Sequence, residues 1–370
     1  MCKISKPVMK ICILYTNSGA GHLAAARALK DSFEQKGNNQ IELVDFAVKY
    51  RLPIFRKSQK TYKFILENTI FLQKWFVKFF DLFLPWYIFR KMYNILSVGN
   101  IKKFLSEYPA DLYISTYYAD TEIFHAIKKH NPKLKTIMVV VDIVHALRLW
   151  FDPITDLIIV PTQEVYDRGF RYFKKYSDKV EIFGLPIAQN IFNKTLRQDF
   201  KTKLGLNDNP MLFIAGGGEG MEQVPKIVKE IDLINSGINM CVVCGKDIDQ
   251  KKFLEKQDYK NNVKIFGWVD NFTEFILASD IVITKAGPAT VWETLSAGRK
   301  MILYGFIGGV EDGDVDFAKK NGDIVFEKNT NRIARLIKQT LSRPDPIIPI
   351  QFKTNWAEKI VERITGFIDY

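Results

Sequence analysis

Ile281-Val-Ile-Thr-Lys-Ala-Gly-Pro-Ala-Thr-Val-Trp-Glu-Thr-Leu-Ser-Ala-Gly298 reads as a strand, a tight turn and a helix. Asp280 to Thr284 is apolar and β-branched, as a buried parallel strand should be. Gly287-Pro288 is turn chemistry, and proline is at home in the first turn of a helix. Ala289 to Ala297 then reads as a helix closed by Gly298 at its C-cap. The N-terminus of a helix after such a turn presents N–H groups and a positive dipole end, which suit a phosphate. Glu293 lies in the first turns of that helix. Two readings stand side by side: an acid accepting hydrogen bonds from a ribose diol, or a capping-type acid in one more βα unit.

The same grammar recurs outward from this stretch. Lys10-Ile-Cys-Ile-Leu-Tyr-Thr16 is a buried strand, Asn17 to Gly21 a glycine turn, His22 to Lys36 a helix, and Ile41 to Phe46 the next strand. The chain therefore opens βαβ, as a Rossmann-like half does. Its loop is not GxGxxG and predicts no dinucleotide by itself. His22 stands at the carboxyl end of the first strand, where ligands bind in such sheets. A helix N-terminus pushes an imidazole toward neutrality, so His22 can serve as a base or simply pack the turn. Asp111–Thr116, Thr136–Val141 and Asp156–Pro161 are further buried strands, and Thr162–Tyr176 a helix. Asp142 follows the strand ending at Val141, either lining a site or capping a loop. The domain boundary falls at Leu185-Pro-Ile187. Met211-Leu-Phe-Ile-Ala-Gly-Gly-Gly-Glu-Gly220 opens a second Rossmann-like half, and its glycines let backbone approach a ligand closely. Asn239–Cys244 and Val263–Phe266 are strands, Phe253 and Phe275 core residues, and Phe352–Tyr370 an amphipathic helix.

At 370 residues the chain fits two domains, 1–187 and 188–350, with a closing helix at 351–370. Hydrophobic residues make up 47%, enough for real cores, and the net charge of +12 suggests an anionic partner. Of four cysteines, Cys12, Cys241 and Cys244 fall in apolar strand-like runs. Cys241 and Cys244 form a lone CxxC without the partners of a zinc site. Residues three apart on a strand face opposite sides, so these thiols read as structural. Met1 to Lys10 has no apolar core of a signal peptide, and no apolar run approaches the roughly 20 residues that span a bilayer. A peripheral protein on the cytoplasmic face of the cell membrane is expected.

Residues 54–104 differ from the rest. Arg56-Lys-Ser-Gln-Lys-Thr-Tyr-Lys63 is basic. Phe64, Phe71, Trp75, Phe76, Phe79, Phe80, Phe83, Trp86, Tyr87 and Phe89 follow, interleaved with Lys74, Lys78, Arg90 and Lys91. Aromatic faces with cationic rims mark interfacial attachment to an anionic membrane. Helices packed on the core with solvated lysines are a compatible reading. Single-stranded RNA also suits aromatics among cations, but no RNP-type motif is present, and no nucleic-acid partner is expected.

Three ordered blocks carry a family resemblance running from about Ile11 to about Phe326. Thr284-Lys-Ala-Gly-Pro-Ala-Thr-Val-Trp-Glu-Thr-Leu resembles the donor-site signature of monogalactosyldiacylglycerol synthases and bacterial diacylglycerol glucosyltransferases. These group with the peptidoglycan N-acetylglucosaminyltransferase among GT-B enzymes. Asn17-Ser-Gly-Ala-Gly-His22 resembles the family's N-terminal glycine loop, and Gly308-Gly-Val-Glu-Asp-Gly-Asp-Val315 its sugar-contacting loop. The resemblance implies an α/β fold of two Rossmann-like domains with a cleft between them and a C-terminal helix crossing back. It implies His22 as catalytic base, with Asp142, and an acceptor loop of Gly19, Ala20, Gly21 and Trp150. It implies a donor site of Gly217, Gly218, Glu219, Trp268, Ala286, Gly287, Pro288, Ala289 and Glu293, with Glu311 and Asp312 on the hexose. Val310 and Asp314 replace a family Gln and Asn, while Gly313 leans toward the galactosyl enzymes. His145 sits nearer Asp142 than in relatives, and Tyr117 stands where they often carry His.

Asp312-Gly-Asp314 also spells the DxD of metal-dependent GT-A transferases. The two Rossmann-like halves and the preceding Gly308-Gly309 argue against that reading, so neither metal nor cofactor is expected. The expected activity is inverting transfer of hexose, galactose before glucose, from a UDP-sugar to 1,2-diacylglycerol. N-acetylglucosamine transfer to a polyprenyl-linked or sterol acceptor is the enzymatic alternative. A non-catalytic lipid-binding protein is the other.

Overall fold

The computed structural model describes residues 8–17, 20–37, 39–50, 91, 99–193, 195–218, 221–309 and 311–368. The chain divides into two compact units. One is Met1–Ser18, His22–Ile187 and Asn355–Tyr370; the other is Gly19–Gly21 and Ala188–Thr354. The aromatic and cationic run of residues 54–104 lies almost wholly outside the described residues. At its end, Ile101 and Phe104 are buried, and Phe104 packs its ring against Phe46 and Tyr113.

The first unit is built on β1 (Lys10–Tyr15), β2 (Gln40–Asp45), β3 (Leu112–Ser115), β4 (Lys135–Val139), β5 (Leu157–Val160) and β6 (Val180–Ile182). They form one sheet in the order β2-β1-β3-β4-β5-β6, parallel at every described pairing. The second unit is built on β7 (Met211–Ala215), β8 (Asn239–Val243), β9 (Asn262–Phe266), β10 (Ile281–Lys285), β11 (Lys300–Gly305) and β12 (Ile324–Phe326). Its parallel sheet has the order β12-β11-β10-β7-β8-β9. Parallel strands need crossovers, and helices covering both faces explain why the strands read as unbroken apolar runs. Each sheet reverses its winding once, between β1 and β3 in the first and between β7 and β10 in the second. Loops beyond the carboxyl ends of strands at such a switch point are where doubly wound sheets bind ligands.

The strand–turn–helix of Ile281 to Gly298 is present, with Pro288 at the start of its helix, Pro288–Ala297. Gly298 takes the left-handed conformation, φ +64°, that closes a helix at little cost to glycine. Gly298 N–H bonds the Leu295 carbonyl at 3.1 Å and Arg299 N–H the Thr294 carbonyl at 3.1 Å.

Three expectations need correction. The glycine turn after β1 is shorter than read, because the helix begins at Ala20 rather than His22. First-turn N–H groups need no intrahelical partner, so Gly21 is tolerated there and the alanine-rich run extends back to Ala20. Phe253 is 55% exposed rather than core. Its helix, Ile248–Glu255, buries Gln250 and Leu254, four residues apart on one face, and leaves Phe253 on another. The closing helix starts at Trp356, not Phe352. Ile350–Phe352 is a separate 3₁₀ turn, and Asn355 caps the helix by accepting Glu358 N–H at 3.4 Å. This helix buries Ile360, Val361 and Ile364 in one core with Ile11, Ile13, Phe33, Ile114 and Ile137 of the first unit. Arg363 anchors it by two hydrogen bonds, of 2.8 and 2.6 Å, to Glu181 on β6. Phe275 is buried, as are Cys12, Cys241 and Cys244, all three free thiols. No described helix is long and apolar enough to cross a membrane.

Candidate functional site

In the first unit the switch point gathers His22, Thr116, Tyr117, Tyr118, Asp142 and Trp150. His22 is in the first turns of the helix after β1; the Tyr residues follow β3. His22 Nδ1 lies 2.5 Å from the Thr116 carbonyl. A carbonyl only accepts, so Nδ1 carries the proton and Nε2 keeps its lone pair. Thr116 Oγ1 returns a hydrogen bond to the His22 carbonyl at 3.0 Å. Burial pushes the imidazole pKa down to about 4, the Thr116 hydrogen bond working weakly against it. The ring is therefore neutral at neutral pH, with a free lone pair.

Aromatic rings wall it in. Tyr117 meets His22 edge-on at 5.3 Å and Trp150 stacks on it at 6.1 Å. Trp150 is fully buried, and its indole N–H donates to Asp142 Oδ2 at 2.6 Å. Asp142 thus receives an aromatic donor beside the imidazole. Tyr118 packs edge-on against Trp150 at 5.6 Å. His22, Asp142 and Trp150 are brought together; Thr116 and Tyr118 carried no local signal. Ala20 and Gly21 open the His22 helix. Gly19 lies outside the described residues.

In the second unit the loops after β7 and β10 flank the other switch point. Gly217 follows β7 with φ +80°, and a Cβ there would come within 2.9 Å of the Lys285 side chain. Lys246 N–H holds the Gly218 carbonyl at 3.0 Å, and a Cβ at Gly218 would touch the Trp268 ring. Trp268, after β9, is 38% exposed with Lys246 Nζ 5.3 Å above its ring. Glu219 lies outside the described residues. Beyond β10, Ala286 N–H bonds the Gly305 carbonyl at 2.8 Å. Gly287 is the N-cap, and Pro288, Ala289 and Thr290 form the first turn, whose N–H groups leave along the helix axis. Glu293, in the next turn, is 5% exposed. Burial raises its carboxyl to about 7 against an opposing hydrogen bond from Thr273.

Lys285 ends β10 within the same motif. The pairing of β10 with β11 shifts register between Thr284 and Lys285, which face Leu303 and Gly305, so Tyr304 is the extra residue on β11. The Lys285 ammonium pairs with Glu311 Oε1. Glu311 Oε2 accepts Ile307 N–H at 2.7 Å. Glu311 therefore ties its own loop back to Ile307, while Asp312 beside it is half-buried. A lysine ending an otherwise apolar strand was the available signal. Its partner, 26 residues away, was not readable. Among the described residues no cluster of three or more His, Cys, Asp or Glu could hold a metal ion.

Residues 22–187 match the family model for monogalactosyldiacylglycerol (MGDG) synthase, and residues 211–346 match the glycosyltransferase family 28 C-terminal domain. This chain belongs to that family of glycosyltransferases. It is 27% identical over 357 residues to monogalactosyldiacylglycerol synthase 2 of Arabidopsis thaliana, covering 90% of this chain and 74% of that protein. It is 25% identical over 346 residues to monogalactosyldiacylglycerol synthase 1 of the same plant, covering 89% of this chain and 64% of that protein. Among solved structures it resembles MurG of Acinetobacter baumannii, with TM-score 0.52, 12% identity and coverage of 98% and 99%. It also resembles UGT89C1 of Arabidopsis thaliana complexed with UDP, with TM-score 0.61, 13% identity and coverage of 98% and 100%. The fold is GT-B. A UDP-GlcNAc 2-epimerase from Neisseria meningitidis, at TM-score 0.62, shares it, covering 97% of this chain and all of that one at 12% identity. Fold alone therefore leaves the chemistry to the side chains.

Lys285→Met should strand a nearly buried Glu311 carboxylate. We expect the second unit to lose on the order of 3 kcal/mol, read by chemical denaturation. Lys285→Met combined with Glu311→Gln should recover much of it. Unchanged stability in the single variant would show that the pair is only a surface contact.

Proposed function

We propose that this glycosyltransferase moves a hexose, galactose before glucose, from a UDP-sugar to the free hydroxyl of 1,2-diacylglycerol, with inversion at the anomeric carbon. The observation that carries the reading is the His22 hydrogen bond to Thr116, which leaves a neutral Nε2 lone pair at the switch point of the first sheet. The printed names of the relatives, monogalactosyldiacylglycerol synthases, point to the same donor–acceptor class.

In the proposed step the acceptor oxygen attacks C1 of the sugar as the C1–O bond to the diphosphate breaks. The hydroxyl proton passes to His22 Nε2, and UDP leaves with the bonding pair. Asp142, held by the Trp150 indole, steadies the positive imidazolium that forms. The helix beginning at Pro288 offers first-turn N–H groups and its dipole to the leaving diphosphate. Gly217 and Gly218 let the backbone after β7 come close to the same group. We assign the nucleotide base to Trp268 and the ribose diol to Glu293. Glu311, tied to Lys285 and Ile307, sets the sugar loop, and we assign the hexose hydroxyls to Asp312. Residues 54–104 would bring the first unit to an anionic lipid surface, cations and aromatics acting together.

The test is a donor panel of UDP-galactose, UDP-glucose and UDP-N-acetylglucosamine against diacylglycerol in mixed vesicles, with product analysis. UDP-galactose should give monogalactosyldiacylglycerol, and His22→Ala should cut turnover by roughly 10²–10⁴-fold with UDP affinity unchanged. Transfer only from UDP-N-acetylglucosamine, or none from any donor, would overturn the reading.

The two shifted groups predict separate pH behaviour. Glu293 titrates near 7 in the free protein, and its anion accepts from the diol better than its acid. UDP affinity should therefore rise between pH 6 and 8 and flatten in Glu293→Gln, as calorimetry would show. His22 is neutral above about pH 5 because its pKa is lowered to about 4. Turnover at saturating donor should show no loss near pH 6.5. A limb there would mean that the imidazole is solvated.

A further inference from the structure

Asp120 takes no part in the step above, yet it is a carboxyl group only 2% exposed, just past the end of β3. Its Oδ2 lies 2.7 Å from Ser115 Oγ. Ser115 Oγ also lies 3.0 Å from the Tyr117 carbonyl oxygen and 2.9 Å from Tyr117 N. Tyr117 N–H donates to the hydroxyl oxygen. The single hydroxyl proton then faces two oxygens, a carbonyl and a carboxyl. Both contacts are hydrogen bonds only if a second proton is present, and the carbonyl cannot carry it.

We infer that Asp120 is a neutral carboxylic acid that donates to Ser115 Oγ, which donates in turn to the Tyr117 carbonyl, and that this closed clamp positions the Thr116 carbonyl that sets the tautomer of His22. The inference rests on the reading of His22 as base. Thr116 lies between the two residues that the clamp ties together, so the turn cannot rotate its peptide without breaking one of them. The clamp also fixes Tyr117, whose ring meets the His22 ring edge-on. Burial supports the protonation state: it raises the Asp120 carboxyl to about 8, the charge of Asp45 acting in the same direction and Ser115 against it. Asp45 is itself committed to the backbone N–H groups of Val48 and Asn17. Asp120 and Ser115 are thus positioning residues, acting on the imidazole through the backbone.

Asparagine reproduces a neutral acid's donor at the same place. Asp120→Asn should keep kcat within roughly threefold, whereas Asp120→Ala and Ser115→Ala should each lower it by roughly 10–100-fold, the cost of a misplaced catalytic group. The donor KM should stay the same in all three, because these residues touch no donor-binding element. Nitrogen-15 spectra of the imidazoles, with His22 assigned by its loss in His22→Ala, read the clamp without substrate. Wild type and Asp120→Asn should show the Nδ1-protonated form at pH 7, and the alanine variants a mixture with the Nε2-protonated form. The two alanine variants are read separately, circular dichroism confirming the fold of each. An Asp120→Asn as damaged as Asp120→Ala would mean that the carboxylate acts ionised, and alanine variants that keep kcat and tautomer would mean that the clamp holds nothing. Either result overturns the inference. Full turnover by His22→Ala would instead remove the base, leaving the tautomer measurement to judge the clamp alone.

Discussion

Parallel pairing throughout both sheets is the constraint from which the rest follows. It sends the carboxyl ends of all strands in a sheet to one edge and forces each connection through a crossover. Where the winding reverses, the loops after two neighbouring strands diverge to opposite faces and leave a crevice. The residues with chemical character collect at these reversals. After β1 and β3 stand His22, Thr116 and Tyr117; after β7 stand Gly217 and Gly218, and at and beyond the end of β10 stand Lys285 and the Pro288 helix.

Burial then decides what those residues can do. The same desolvation that lowers the His22 imidazole raises the Glu293 and Asp120 carboxyls, because each charged form loses water. A neutral imidazole is ready to take a proton. A carboxyl with a pKa near 7 holds its charge only loosely. Lys285 and Glu311 show another arrangement: they pair with each other, and Glu311 also accepts the Ile307 N–H.

Much of the architecture was legible because its signals are local. A strand covered on both faces is an apolar run, and Gly287-Pro288 and Gly298 mark helix ends through their own backbone preferences. The Ala20 start is not legible, because alanine and glycine before a helix fit turn and first turn equally well. The exposure of Phe253 is not legible either, because a single aromatic does not reveal which face of a short helix is covered. The site was legible only as a set of residues. Its couplings were not: Thr273 to Glu293 and Lys285 to Glu311 join separate loops and helices. Ser115 and Asp120 are five residues apart, but the proton they share depends on burial, which spacing does not encode.

The central claim is that the donor nucleotide binds at the switch point of the second sheet. Hydrogen exchange of the full chain with and without UDP tests it most directly. The account predicts slowed exchange in the peptides spanning residues 215–218, 266–269 and 285–293. It predicts none in those spanning β4, β5 and β6. Protection confined to the first unit, or no protection at saturating UDP, would contradict it.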